Sequence, residues 1–244
     1  MKPIIIVLLL SVYFLSCKSN LKEAQNMPFE GNWVLKEVIE NTQTYQSISK
    51  AKELSDFYAS ELVFDESGDS VSVYNGQEGY VRLPINKTEE QYSFQIRGTK
   101  ASPILFNSTD STLFFADSTL NRVYRFSKAD IAYLDTTFAE SVAFPGYINN
   151  AMIEGKWQRG PEKVVTFGRF GEVLNWDEYK SFEIVVNGEY GSNIDGDLII
   201  LRTSDKVQLF GFKRSQDSVR FYDLISLGAN KGFKNGKLLH EFTL

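Results

Sequence analysis

The words Glu30-Gly31-Asn32-Trp33 and Glu154-Gly155-Lys156-Trp157 stand 124 residues apart and hold two of the three tryptophans of the chain. Behind each copy run short, aromatic-rich segments in which apolar and polar residues alternate. A word repeated at this distance, with the same kind of sequence after it, predicts one module used twice. Phe64, Gly68 and Val71 in the first copy keep the spacing of Phe167, Gly171 and Leu174 in the second, which carries the shared frame beyond the words themselves.

In the first module Ile48, Ala51, Leu54, Phe57 or Tyr58, and Leu62 recur at helical spacing. They predict one short amphipathic helix, a lid or plug packed against a sheet. From Glu61 the period changes to two. Leu62-Val63-Phe64 and Val71-Ser72-Val73-Tyr74 flank a polar turn, and Asn75-Gly76 gives the next one. Val81, Leu83 and Ile85, then Tyr92, Phe94 and Ile96, alternate with polar neighbours; residues 110–116 and 121–126 close the module. Such alternation predicts strands with one buried and one wet face. The second module reads as strands over 164–167, 173–176, 181–186, 197–201, 207–212, 219–224 and 238–244. Asn187-Gly188, Asp195-Gly196 and Asn235-Gly236 are its hairpin signals.

Between the modules, Ser127-Lys128-Ala129-Asp130 resembles a capping box, and Ile131, Leu134, Phe138 and Val142 follow at three and four until Pro145-Gly146. A connecting helix is expected, with an irregular edge strand as the alternative. The fold class is therefore mainly β: two tandem small antiparallel meander β-barrels or barrel-like sheets, with one short helix in the first module and a helical connector. The modules are placed at 29–128 and 153–244, with the connector at 129–152.

The start of the chain has a different character. Lys2 precedes an apolar run from Ile4 to Leu15, the pattern of an export signal occupying residues 1–16. As a helix this run spans about 18 Å, short of the roughly 30 Å of membrane hydrocarbon. Phe14-Leu15-Ser16-Cys17 resembles the lipobox of bacterial lipoproteins, in which the cysteine is lipidated and becomes the mature N-terminus. Cys17 is the sole cysteine of the chain, so no disulfide can form within it. Acyl chains at about 0.8 kcal/mol per buried CH₂ would hold the protein at a membrane. Residues 17–28 are polar and aperiodic, as a tether requires. The resemblance places the protein in the bacterial cell envelope, and Lys18, where an aspartate marks inner-membrane retention, points to the outer membrane.

A Gly-x-Trp word opening an up-and-down meander resembles the lipocalin-like domains of bacterial lipoproteins. In that family the tryptophan packs across the closed end of the barrel beneath a basic residue of the final strand. The resemblance assigns closure to Gly31, Trp33, Gly155 and Trp157, with Arg122 or Arg125, here taken as Arg125, over Trp33. Between Leu238 and Leu244 the second module has no arginine or lysine, so no equivalent cation is expected from its last strand.

Chemistry-bearing residues are few. His240 is the only histidine and sits on a strand face, where an imidazole is read as a core or rim residue. With Cys17 acylated, no thiol remains for metal or redox work. No Gly-x-Gly-x-x-Gly or phosphate-cradling Gly-x-x-x-x-Gly-Lys word occurs, so no nucleotide cofactor is expected. Glu183 and Asp223 could form a carboxylate pair, but an acidic chain offers such pairs freely. Asn86-Lys87-Thr88 and Asn107-Ser108-Thr109 match a glycosylation acceptor, a pattern without meaning in most bacteria. The net charge of −5 comes without a basic block, which argues against nucleic acid. The expected protein is non-enzymatic, needs neither metal nor cofactor, and binds a small apolar molecule, a lipid or a peptide. The alternative is a scaffold or accessory subunit joining other envelope proteins.

Overall fold

The computed structural model describes residues 30–55, 59–65, 67–75, 80–88, 91–96, 101–117, 121–136, 141–186, 194–228 and 231–244. The expected export signal, Cys17, the tether, Phe57, Tyr58, Phe138 and Asn187-Gly188 lie outside these residues.

The first sheet is built from β1 (Gly31–Leu35), β2 (Glu61–Phe64), β3 (Ser70–Tyr74), β4 (Tyr80–Pro84), β5 (Asn86–Lys87), β6 (Tyr92–Phe94), β7 (Ser102–Asn107), β8 (Thr112–Asp117) and β9 (Arg122–Lys128). Each strand pairs antiparallel with the next except β4 with β5, the two ends of the sheet, and β1 also pairs with β9, Trp33 lying opposite Lys128. β4 pairs with β3 and β5 pairs with β6. Only Ile85 separates the two, and its N–H still reaches Asp69 O at 2.9 Å. The meander is thus a nearly closed barrel.

The second sheet repeats the plan with β10 (Gly155–Arg159), β11 (Lys163–Phe167), β12 (Val173–Leu174), β13 (Ser181–Ile184), β14 (Asp197–Arg202), β15 (Val207–Arg214), β16 (Ser218–Ser226) and β17 (Phe233–Thr243). β10 meets β17 at Gln158 and Thr243. The other seam is bridged between Glu172 and Ser181, with Phe182 N–H donating to Gly171 O at 2.7 Å and Val173 N–H to Lys180 O at 2.9 Å.

The repeated word has a structural cause. Gly31 and Gly155 enter their strands at φ +91° and +134°, backbone that a side chain resists. Two residues on, Trp33 and Trp157 turn inward and are buried. The registers match: Gly31 faces Phe64 and Trp33 faces Leu62, while Gly155 faces Phe167 and Trp157 faces Val165. Beyond that the expected spacing slips. Phe64 faces Val71, but Phe167 faces Val173 and not Leu174. The second copy makes this turn with one residue fewer.

Three helices accompany the barrels. α1 (Lys36–Tyr45) follows β1 directly and buries Val38, Ile39 and Thr42. It was not visible in the sequence, where two aliphatic residues in ten give little periodicity. α2 (Ile48–Ser55) is the expected lid, ending earlier than the helical spacing suggests and burying Ile48, Ala51 and Ser55. α3 (Phe144–Met152) is the connector helix, but it begins where the expected one ends. Residues 131–133 form one 3-10 turn, and Asp135 bridges to Val142. Pro145 occupies the first turn of α3, a position where its missing N–H costs nothing. Asn235-Gly236, read as a turn, lies inside β17 opposite a register shift of β16.

Two buried carboxylates tie the parts together. Glu61 on β2 accepts from Ala143 N at 3.0 Å and Phe144 N at 2.9 Å, the free amides that open α3, and from Asn32 Nδ2 at 2.5 Å. Asp197 on β14 accepts from Ser49 N at 2.7 Å and Ser47 Oγ at 3.2 Å. It thereby caps α2 of the first module from the second barrel. At the connector, Arg169 grips both carboxylate oxygens of Glu154, at 2.9 and 3.0 Å, donates to Ala132 O at 2.8 Å, and lies 4.3 Å from the Tyr133 ring centre. A single buried hydrophobic cluster runs through both barrels and all three helices.

Candidate functional site

The expected closing residues come first. Trp33 lies beneath a cation, Lys128 Nζ at 5.1 Å from its ring centre. Lys128 is the last residue of β9, and its Nζ also donates to Glu30 O. Arg125 is elsewhere: it pairs with Glu40 at 3.1 Å on the outside. Strand parity explains the correction, since Tyr124, Phe126 and Lys128 share the inner face of β9 and Arg125 the outer one. Arg122 donates to Ser55 O at 2.6 Å, closing the C-terminal end of α2.

Trp157 has its own cation, although its last strand supplies none. Arg214, at the end of β15, lies 4.5 Å from the Trp157 ring centre, and Trp157 Nε1 donates to Ile153 O at 2.7 Å. Burial pushes the Arg214 pKa down, and its Nε and Nη1 are enclosed without a hydrogen-bond partner among the described residues. Leu244, which follows the residue matching Ser127, is exposed.

Inside both barrels, aromatic side chains of the described residues pack against one another. In the second, Phe167, Trp176, Phe182, Phe221 and Phe242 interlock with ring centres between 5.0 and 6.2 Å apart. In the first, Trp33 meets Phe106 at 5.9 Å and Phe94 stacks on Phe115 at 4.6 Å.

His240 stands where this aromatic core meets the end of the second barrel farthest from Gly155. Its ring is 5.1 Å from Trp176, edge to face, and its Nδ1 lies 3.2 Å from Arg159 Nη2. A guanidinium can only donate, so Nδ1 accepts and the neutral ring carries its proton on Nε2. Burial, then the Arg159 charge, pushes the His240 pKa down. Arg159 also lies 5.4 Å from the centre of the Trp176 ring. Trp176 Nε1–H is enclosed and has no acceptor among the described residues. Tyr179 OH completes the group, donating to Gln208 Oε1 at 2.7 Å.

Two clefts are lined by described residues. One, of about 340 Å³, runs between the helices and β9 and is lined by Glu37, Glu40, Asn41, Leu54, Ser55, Arg122, Val123 and Tyr124. The other, of about 280 Å³, lies over the outer row Asn32, Val63, Ser72 and Arg82, beside Asp65, Ser70 and Ser141. Hydrogen bonds, first among them that from Ser70, hold the Asp65 carboxyl well below the usual carboxylate range. The structure does not bring Glu183 and Asp223 together as a pair. Glu183 binds Arg202 at 2.5 Å, and Asp223 accepts from Leu224 N at 2.9 Å beside the irregular register of β16.

Sequence reasoning placed His240 on the right strand but missed Arg159, Trp176 and Tyr179 as its neighbours, because a loop and two strands distant in sequence bring them together. Among the described residues no helix is long and apolar enough to cross a membrane, and no three His, Asp or Glu side chains form a group able to hold a metal. Comparison with family models, with curated proteins and with solved structures gave no match.

Proposed function

We propose that this protein is a non-enzymatic, lipid-anchored component of the bacterial cell envelope, held through Cys17, in which two rigidly joined lipocalin-like barrels serve as a scaffold for other envelope proteins. The observation that favours a scaffold over a carrier is the interlocked aromatic core, which occupies the space a carrier of a small apolar molecule would keep open. The outer faces are then the working surface. Leu174 and Val207 are exposed on it, and the caps supplied by Glu61 and Asp197 keep the two barrels in fixed relation.

A photo-cross-linking residue at Leu174 or Val207 of the full chain, expressed in a bacterial envelope, tests the reading. The expected result is a reproducible cross-link to one envelope protein and none from the buried position Phe182. Absence of cross-links from both outer positions, together with a stoichiometric apolar molecule retained in native mass spectrometry, would make the protein a carrier instead. Its 340 Å³ cleft at the helices, with Leu54 and Val123 on the wall, would be the place to look. The anchor has its own test. The mature N-terminus is expected at Cys17 with acyl mass attached, and an unmodified Cys17 would remove the anchor from the proposal.

A further inference from the structure

We infer that the cleft of about 280 Å³ on the outer face of the first barrel is a binding site for a neutral sugar ring. Its floor is the row Asn32, Val63, Ser72 and Arg82, each facing the next across β1 to β4. Outward polar residues of a sheet normally meet water, yet Asn32 and Ser72 are only 9 % and 8 % exposed. Each brings an unused polar atom to the cleft. The Asn32 amide spends its N–H groups on Glu61 Oε1 at 2.5 Å and on Ser141 O at 2.7 Å. A backbone carbonyl only accepts, so the Ser141 contact fixes which end of the amide is which, and Oδ1 is left without a donor among the described residues. Ser72 Oγ has no hydrogen-bond partner among the described residues either. Both residues line the cleft, and neither atom is sealed away from it.

Arg82 adds a donor at the rim. Its Nε donates to Ser70 Oγ at 2.7 Å and its Nη2 to Asp65 Oδ2 at 2.9 Å, which holds the guanidinium in place with Nη1 to spare. The Asp65 charge answers that of Arg82. An anion would therefore meet the lone acceptor Asn32 Oδ1 and the Asp65 carboxylate, and a cation would meet Arg82, so the ligand is neutral. Neighbouring strands lie about 4.8 Å apart, and Asn32 and Ser72, two strands apart, flank the half-buried Val63. That spacing calls for a ligand with polar groups at both edges and an apolar middle. A sugar ring has this build: hydroxyls around its rim, each able to donate to Asn32 Oδ1 or accept from Ser72 and Arg82, and a C–H face to lie on Val63. The volume is at the low end for small-molecule sites and suits one ring.

This inference stands apart from the scaffold reading, since it needs neither an anchor nor a partner protein. Its test is nuclear magnetic resonance of the whole isotope-labelled protein, following the Asn32 side-chain amide, the Arg82 Nε–H and the backbone amides of Val63 and Ser72. The probes are the methyl glycosides of glucose, galactose, mannose and N-acetylglucosamine, and the trisaccharide of whichever responds. At least one glycoside is expected to move these signals together and saturably at up to about 100 mM, leaving the Asn41 side-chain amide of the other cleft in place. Ser72→Ala should weaken that probe about three- to tenfold, as loss of one hydrogen bond does, and Arg82→Gln should weaken it by a similar factor. A gain of about tenfold for the trisaccharide would assign the site to a glycan chain, and equal affinity to a free sugar; either supports the site. No saturable shift with any of the glycosides would overturn the assignment. So would unchanged affinity in folded Ser72→Ala, or an equal response to acetate or inorganic phosphate, which would make the cleft an anion site.

Discussion

Trp33 and Trp157 each lie under a cation, and the two cations come from different places in their modules, Lys128 from the last strand and Arg214 from the sixth. What the duplicated plan keeps is the contact between a buried indole and a charge at the barrel end, a contact of about 0.5–2 kcal/mol depending on exposure. Removing the indole costs much more. Trp33→Ala and Trp157→Ala are each expected to lower unfolding free energy by about 3–5 kcal/mol, read from denaturant titration of the variant against the parent; an unchanged midpoint would show that the word marks something other than closure. The glycine of the word has a parallel role. A Cβ on Gly31 would meet Lys128 Nζ at 3.2 Å besides straining a φ of +91°, so Gly31→Ala should disturb the cation contact and the strand entry together. These assignments were partly legible. The inward tryptophans follow from alternation, whereas the family resemblance points to Arg122 or Arg125 for the cation. Lys128 shares the parity of Phe126, and Arg214 that of Phe212; the same alternation would have found both. The donor group around His240 had no sequence signal, because nothing local links Arg159 to Trp176 or to position 240.

Helix ends show why α1 has no signal in the sequence and why the expected connector helix, α3, starts later than its spacing predicts. A strand announces itself by its own period, whereas α3 starts at Phe144 because a carboxylate 83 residues upstream accepts from its first amides. The helical spacing of Ile131, Leu134 and Val142 is real, yet Ile131 is 82 % exposed and Val142 is tied to Asp135 in a bridge. Glu61 and Asp197 are accordingly the residues on which the helices depend. Asp197→Ala is expected to cost about 1–2 kcal/mol, the range of a lost cap, and to speed amide exchange in α2 before the barrels respond; uniform acceleration across the molecule would argue against a local role. Both carboxyls also set a pH dependence. Burial raises their pKa values above the ordinary 4.5 and 3.8, more than their hydrogen bonds lower them. Between the unfolded and folded values the native state holds the extra proton, so stability falls as pH rises through that interval. Glu154, Asp65, Asp69 and Asp177 act in the opposite sense at lower pH: their folded values are depressed, and their contribution is lost on acidification. Glu61→Gln should therefore flatten the decline above about pH 4 and leave the acid limb in place. Parallel curves for parent and variant would mean that Glu61 does not titrate there.

At the scale of the whole molecule, one hydrophobic cluster and two capping carboxylates make the barrels a single body. Unfolding is expected to be one transition, with tryptophan fluorescence and far-ultraviolet circular dichroism giving the same midpoint. Two separated midpoints would show that each barrel stands alone. The duplicated architecture is readable from a repeated word and a period of two; the bond between the copies is not, since it rests on two acidic residues that look like any others among the 31 of the chain. The cap on α2 also imposes an order of events. A polypeptide is made from its N-terminus, and the first barrel can pair all its strands as soon as residue 128 is available. Its lid cannot be finished then, because the carboxylate that fastens it lies 148 residues beyond Ser49. Until Asp197 arrives, Ser47 and the amide of Ser49 lack the acceptor they have in the finished protein. Completion of the second barrel is what latches the first.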